Sequence, residues 1–458
     1  MADLSTLFMG IPSPNPFWLA SAPPTNSGEQ IRRAFDAGWG GAVWKTIGEP
    51  VVNTCSRYSS VDWNGQRMMG LNNIELISDR PVEDNLRELA EVKKHYPKQA
   101  VIASLMVESK REAWHDIVKR AEDAGADGLE LNFGCPHGMS ERGMGSAVGQ
   151  VPEYSCQITE WAKEAARTPV MVKLTPNVTD IRAVARAARR GGADGLSAIN
   201  TINSITGIDL DTLVPRPNVG GMTAHGGYCG PAVKPIALHL VEQITSDPEV
   251  GLPVSGIGGI GGWREAAEFI LLGCGTVQVC TAVMHYGYRI VEDMCDGLSN
   301  WMDAKGYRRL EDFRGASLRK VTEWKHLDLN YKIVARIDPA KCIGCNLCYV
   351  ACWDGAHQCI HHEGRASPPA REAAGRARIA MTPIARLDRG GEGGGPAPAV
   401  KVPFVDEEEC VGCNLCALVC PVEGCISMVE VQTGKAAESW EQRTAGRLYG
   451  QPGQASGG

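Results

Sequence analysis

The tightest constraint on this chain is a pair of cysteine runs: Cys342, Cys345, Cys348 and Cys352 stand as C-x2-C-x2-C-x3-C, and Cys410, Cys413, Cys416 and Cys420 repeat the pattern, followed by Pro421. The first three thiolates of such a run wrap one corner of a cubane iron–sulfur cluster, while the fourth reaches across to the other cluster. The two runs must therefore fold together. The spacing predicts one [4Fe-4S] cluster on Cys342, Cys345, Cys348 and Cys420 and a second on Cys410, Cys413, Cys416 and Cys352, in a small ferredoxin-like α+β module. A pair of zinc knuckles is the competing reading, but tetrahedral zinc sites pair two closely spaced ligands with two distant ones rather than three in a row. Trp353 replaces the usual Pro after the first run, and the gap from Cys352 to Cys410 is long, yet neither change removes a ligand. Cys359 and Cys425 are additional thiols, by default small buried residues, able to substitute as ligands.

Seventeen cysteines would suggest disulfides in a secreted chain, but ten of them follow residue 340, most at cluster spacing, which predicts a reducing compartment. Residues 1–12 lack a basic-then-apolar signal pattern, and no run of 18 apolar residues occurs, so the expectation is a soluble cytoplasmic protein with no membrane association. A formal net charge of −7 leaves no excess of Lys and Arg to neutralise phosphates and argues against a nucleic-acid partner.

With 458 residues the chain exceeds one ordinary domain. Its first 300 or so residues alternate short apolar, β-branched runs with amphipathic stretches, the pattern of a parallel sheet with crossover helices. Eight such runs begin near Phe17, Gly41, Val101, Gly128, Val170, Gly195, Pro253 and Thr276, with helical patterns at 83–96, 110–124, 152–167 and 263–272 and Gly repeatedly at helix ends. Eight strand–helix units close as a TIM (β/α)8 barrel; a doubly wound open sheet is disfavoured by that count. The predicted organisation is an α/β barrel over 1–315, a linker over 316–336 and the two-cluster module over 337–432. A low-complexity loop is expected at 364–400 and a disordered tail over 433–458.

Barrel enzymes place their chemistry at the C-terminal ends of the strands. Lys45 ends the second predicted strand and Lys173 lies in the fifth. A lysine inside a parallel strand is costly unless an anionic or electron-rich group compensates it, the bland alternative being a rim lysine that snorkels to solvent. The fourth strand runs into Asn132 and Cys135, followed by His137 and by Gly143, Gly145 and Gly149. A thiol with a pKa of about 8.5 at the start of a mobile loop can serve as a general acid at neutral pH. A buried structural thiol is the better reading of Cys55, Cys156, Cys229, Cys274, Cys280 and Cys295, and His137 alone reads as a loop histidine. The sixth strand ends at Asn200 and Thr201, and the excursion after the second holds Asn72, Asn73, Ile74 and Glu75; amides paired like this suit the alternating C=O and N–H edge of a cyclic imide or pyrimidine, although each Asn singly is a turn residue. Residues 256–261 satisfy G-x-G-x-x-G, but they follow the seventh strand rather than a first one. In a barrel this is where a phosphate site forms, so backbone N–H groups near Gly258 and Gly259, with those near Cys280 and Thr281, are expected to hold a flavin's phosphate.

The motifs N-x-x-C-P-H-G-M at 132–139 and N-I-E-L at 73–76 closely resemble those of the pyrimidine-reducing, flavin and iron–sulfur subunits of the NAD-dependent dihydropyrimidine dehydrogenase family, and more distantly the dihydroorotate dehydrogenases. The resemblance covers residues 6–430 or so. It implies an oxidoreductase acting on CH–CH bonds that reduces uracil and thymine to their 5,6-dihydro forms. It further implies FMN contacts from Ala20, Ser21, Lys45, Thr46, Asn132 and Lys173, with Gly227 packing on the flavin side. Asn73, Glu75, Ile77, Asn132, Asn200 and Thr201 would line the pyrimidine, Cys135 would donate the proton to C5, and His137 would sit in the closing loop. Electrons would come through the clusters from a partner subunit carrying FAD and NAD(P), in a hetero-oligomer. The 364–400 loop departs from the family pattern. Two other functions compete: a dihydroorotate dehydrogenase-like enzyme, opposed by the fused clusters and the absence of an obvious basic group for orotate's carboxylate, and an electron-transfer adaptor with an inactive barrel, opposed by the intact set of Cys135, lysines and asparagines.

Overall fold

The computed structural model describes residues 2–136, 138–362 and 401–445. Two compact units divide at Val321. In the first, the eight apolar runs form eight strands: Phe17–Leu19 (β1), Gly41–Ile47 (β2), Ala100–Leu105 (β3), Gly128–Asn132 (β4), Val170–Lys173 (β5), Gly195–Ala198 (β6), Val254–Ile257 (β7) and Thr276–Val279 (β8). All pair in parallel with their sequence neighbours, and β8 returns to β1, so the sheet closes as a barrel. Every residue of these strands is buried, as expected where one face fills the barrel and the other meets helices.

The outer helices are Gly28–Ala37 (α1), Val82–His95 (α2), Arg111–Asp123 (α3), Pro152–Ala165 (α4), Ile181–Arg190 (α5), Lys234–Thr245 (α6), Trp263–Leu271 (α7) and Ile290–Lys305 (α8). Their limits follow local chemistry. Ser27 and Asp180 accept N–H groups of the first turns of α1 and α5, and Gly38, with φ +111°, ends α1 in the left-handed region. The main core lies between strands and helices. A second apolar cluster fills the barrel's N-terminal end, where the Thr6–Phe8/Ile11–Ser13 hairpin sets Phe8 and Ile11 against Trp18, Val43, Ile102 and Met171. That end is plugged; the opposite one is left for chemistry.

Over the C-terminal mouth lies a four-stranded antiparallel sheet, in the order Ile202–Ser204, Gly226–Cys229, Gln66–Asn73, Tyr58–Trp63, built from the excursions after β2 and β6. None of the eight predicted runs includes it.

In the second unit, Lys332–Ile337 (β9) pairs antiparallel with Ile426–Val431 (β10), and Ile360–His361 pairs with Phe404–Val405. Short helical turns at Leu347–Tyr349 and Leu415–Leu418 follow the first cysteines of each run. The expected linker is not featureless: it holds 3-10 turns at Leu318–Lys320 and Trp324–His326 and most of β9. The expected disordered tail also needs correction. Its described part carries a helix, Trp440–Thr444, capped reciprocally by Ser439 and Gln442, with Leu329 N–H donating to Glu438 O at 2.9 Å and Trp440 against Trp324 at 5.8 Å between ring centres. Composition alone understated a segment anchored by a capping box and one tryptophan pair. The 364–400 loop and residues 446–458 lie outside the described residues. Among the described residues, no helix is long and apolar enough to cross a membrane.

Candidate active site and cysteine craters

The barrel mouth opens into a cavity of about 560 Å³. Ala20 and Ser21 reach it from the end of β1, Lys45 and Thr46 from β2, Asn132, Cys135 and Pro136 from β4 onward, and Lys173 from β5. Asn200 and Thr201 follow β6, Gly258 and Gly259 follow β7, and Cys280 and Thr281 follow β8. Asn73, Glu75 and Ile77 come from the excursion after β2. Residues separated by more than 200 positions thus meet because parallel strands end on one side of a closed barrel.

A chain of hydrogen bonds runs across the floor. Thr46 Oγ1 stands 3.1 Å from Ser21 Oγ and 3.0 Å from Ser104 Oγ, and it accepts Asn132 Nδ2 at 2.9 Å. Asn132 Oδ1 accepts Asn200 Nδ2 at 3.1 Å, and Asn200 Oδ1 accepts the Thr201 N–H at 2.8 Å. This fixes which end of each amide faces the cavity. Gly227 does not line it. A Cβ there would lie 2.2 Å from Thr201 Oγ1, and Gly227 O accepts Asn73 Nδ2 at 3.2 Å, so this glycine packs against two predicted substrate residues. His137 lies outside the described residues.

Each lysine or arginine lining the cavity faces a carboxylate. Lys45 pairs with Glu75, which also accepts the Tyr58 hydroxyl; Lys234 Nζ is 2.7 Å from Glu268; Arg67 Nε is 3.8 Å from Asp62; Lys173 Nζ is 3.7 Å from Glu130 Oε1. Glu75 was expected against the substrate and here stands as the counter-charge of Lys45. Glu130 went unnoticed in the sequence, because within an apolar strand it carries no spacing signal. It is fully buried on β4, and its Oε2 accepts Ser197 Oγ at 2.8 Å and Gln278 Nε2 at 3.3 Å.

The chemistry of these walls fits a flavin. The Gly258–Gly259 loop lines the cavity and packs on the start of α6 so closely that Cβ atoms would fall 2.6 Å from Ala237 Cβ and 2.7 Å from Lys234 Cβ, so glycine alone lets the backbone come this near the helix N-terminus, where anions bind. Gln278 is buried at the cavity wall, and among the described residues its Oε1 has no hydrogen-bond partner. Burial pushes the thiols of Cys229 and Cys280 up to about 11 and about 12, so both stay neutral. Cys135 is 9% exposed at the cavity edge, and its carbonyl accepts the Ser146 N–H at 3.0 Å, tying it to the glycine-rich loop.

In the second unit the thiols gather in two rings. Cys342, Cys345, Cys348 and Cys420 surround one small crater together with Cys425; Cys410, Cys413, Cys416 and Cys352 surround the other together with Cys359. Each ring takes three thiols from one run and one from the other, the combination the spacing predicts, and adds a fifth that the sequence left as a default buried residue. Cys359 N–H donates to Cys352 Sγ at 3.3 Å, and the two sulfurs are 3.8 Å apart.

A closed α/β barrel with a glycine phosphate loop, joined in one chain to a double ring of cysteines, defines an iron–sulfur flavoprotein oxidoreductase. The chain belongs to the dihydroorotate dehydrogenase family: the model of that family matches residues 3–302, and that of the 4Fe-4S dicluster domain matches residues 341–425. It is 43% identical over 369 residues to the NAD-dependent dihydropyrimidine dehydrogenase subunit PreA of Escherichia coli K12, covering 80% of this chain and 89% of that one. It is 44% identical over 339 residues to the chloroplastic dihydropyrimidine dehydrogenase (NADP(+)) of Arabidopsis thaliana, covering 71% and 79%. The catalytic subunit of dihydroorotate dehydrogenase B (NAD(+)) of Pyrococcus abyssi is 36% identical over 316 residues, covering 69% and 99%.

Proposed function

We propose that this chain is the pyrimidine-reducing subunit of an NAD(P)-dependent dihydropyrimidine dehydrogenase, converting uracil or thymine reversibly to the 5,6-dihydro base. The observation that carries this reading is the pairing of every lining cation with a carboxylate. Among the described residues each cation lining the cavity already has a carboxylate partner, which disfavours an anionic substrate such as orotate, while the asparagine floor suits a neutral imide.

When bound, FMN would supply reversible hydride transfer at the pyrimidine C6. Lys45, Thr46, Lys173, Gly258 and Gly259 would hold it, and Lys173 would offset negative charge on its reduced form. Asn73, Asn132, Asn200 and Thr201 orient the base through its carbonyls and N–H groups, their own geometry set by the Thr46–Asn132–Asn200 chain. The Cys135 thiol would donate its proton to C5, becoming a thiolate, and in the reverse direction the thiolate would take the C5 proton back. In the second unit, Cys342, Cys345, Cys348 and Cys420 would carry one [4Fe-4S] cluster and Cys410, Cys413, Cys416 and Cys352 the other, relaying electrons from a partner subunit with FAD and NAD(P).

The test is an anaerobic assay of flavin absorbance in the purified chain. Dihydrouracil or dihydrothymine should bleach the flavin band, and dihydroorotate should not. Bleaching by dihydroorotate alone would replace this reading with that of a dihydroorotate dehydrogenase.

A further inference from the structure

Lys173 and Glu130 form a buried charge pair inside the barrel, on adjacent strands β5 and β4, and only the lysine has a part in the reaction as described. Lys173 is 4% exposed, Glu130 is fully buried, and Nζ lies 3.7 Å from Oε1. The carboxylate is held from its other side: Ser197 Oγ on β6 and Gln278 Nε2 on β8 both donate to Oε2, which leaves Oε1 with no hydrogen bond in the protein and facing the ammonium. A carboxylate buried this deeply would be costly unless it were paired, and the two neutral donors do not neutralise it. The lysine in turn lines the flavin cavity, while Glu130 does not.

We infer that Glu130 is a positioning residue for the flavin: it fixes the Lys173 ammonium at the cavity wall and, as its counter-charge, limits how far that lysine stabilises the reduced cofactor. The inference rests on the flavin reading of this cavity. A bare lysine would pull the cofactor strongly towards its reduced, anionic form and hinder the passing of electrons in either direction. A lysine half-neutralised by a buried carboxylate keeps oxidised and reduced forms closer in free energy, as a reversible two-way site requires. Ser197 and Gln278 matter because they keep Oε2 occupied and so leave Oε1 to the lysine.

The experiment is a potentiometric titration of the flavin in the purified full-length chain, comparing wild type with Glu130→Gln, a change that preserves shape and removes the charge. The expected result is retained flavin, with the reduced-to-oxidised ratio at a fixed poise raised about tenfold, or about 30 mV for two electrons. That is the order expected on removing one buried charge some 10 Å from a group in a medium of effective dielectric near 20. Glu130→Asp, which keeps the charge but withdraws it from Lys173, should fall between the two and stands in if the Gln variant does not fold. A residue that merely packs the barrel would lower flavin content or melting temperature without moving the potential of the flavin that remains. An unshifted potential in a flavin-loaded variant would therefore overturn the inference, whereas a wild-type chain that binds no flavin would overturn the cavity reading beneath it.

Discussion

At the scale of single residues, the site separates groups that do chemistry from groups that hold them. Cys135 sits at the cavity edge and forms no disulfide, and on the function proposed its thiol supplies a proton, so Cys135→Ala should keep flavin and iron while losing about two to four orders of magnitude in pyrimidine turnover, as for removal of a general acid. Cys135→Ser should retain some activity; near-normal turnover of the alanine variant would remove Cys135 from the mechanism. Glu122 has a different office. Burial pushes its carboxyl up, but N–H groups of Thr168 and Arg167, the Thr168 hydroxyl and the Arg167 guanidinium outweigh that and hold it below the usual carboxylate range. A depressed folded-state pKa contributes stability at pH values above the unfolded one, about 4.3, and loses it as pH falls through the folded one. Glu122→Gln should accordingly cost about 1–3 kcal/mol at neutral pH and flatten the acid limb of the unfolding curve, checked by urea melts between pH 3 and 7. An acid limb unchanged from wild type would show that this carboxylate does not clamp the α3 end to the approach of β5.

At the scale of elements, what was legible in the sequence was local. The eight strands start within a residue of the apolar runs that announce them, since β-branched clusters bounded by Gly and followed by a helical period are properties of short windows. The excursion sheet was illegible for the converse reason: Tyr58–Trp63 and Gln66–Asn73 are largely polar and half exposed, and their order depends on pairing with Gly226–Cys229, more than 150 positions away. The same limit hid Glu130 and the counter-ion role of Glu75, because a charge pair between strands leaves no spacing behind. The cysteine runs lie at the other extreme: their spacing groups the thiols as the two craters do, and only the fifth thiol of each went unread. That invites a comparison between the rings. Cys342→Ala should lower iron and acid-labile sulfide while leaving a flavin-loaded barrel. Cys352→Ala should lose less iron than Cys352→Ala combined with Cys359→Ala, because Cys359 Sγ already stands 3.8 Å from the sulfur that is removed. Equal iron loss in the single and double variants would show that Cys359 cannot step in.

At the scale of the whole molecule, the function proposed joins a barrel site for two-electron chemistry to a module for one-electron carriers, and the place of the chain's glycine motif bears on how it is supplied. A Rossmann unit needs its glycine loop between the first strand and helix of a βαβ, with an acidic residue about 20 positions on. The G-x-G-x-x-G match at 256–261 instead begins inside β7 of a closed barrel, and its Gly258 and Gly259 are packed against α6 at the flavin cavity. On the function proposed, a nicotinamide passes its hydride to a partner subunit, and single electrons return to this chain through the cysteine rings. The chain alone should accept electrons from NADH or NADPH at a small fraction of its pyrimidine turnover rate, and addition of an FAD- and NAD(P)-binding subunit should restore the coupled reaction. Anaerobic stopped-flow mixing with each nicotinamide, before and after adding that subunit, measures this directly. If the chain by itself reduces its flavin as fast as it turns over pyrimidine, the two-component reading fails. If instead the chain alone is slow, and Cys342→Ala then abolishes the nicotinamide-driven reaction while leaving bleaching by dihydrouracil intact, the electrons have been traced through the rings, since the two assays share the barrel and differ only in the route by which the flavin is reached.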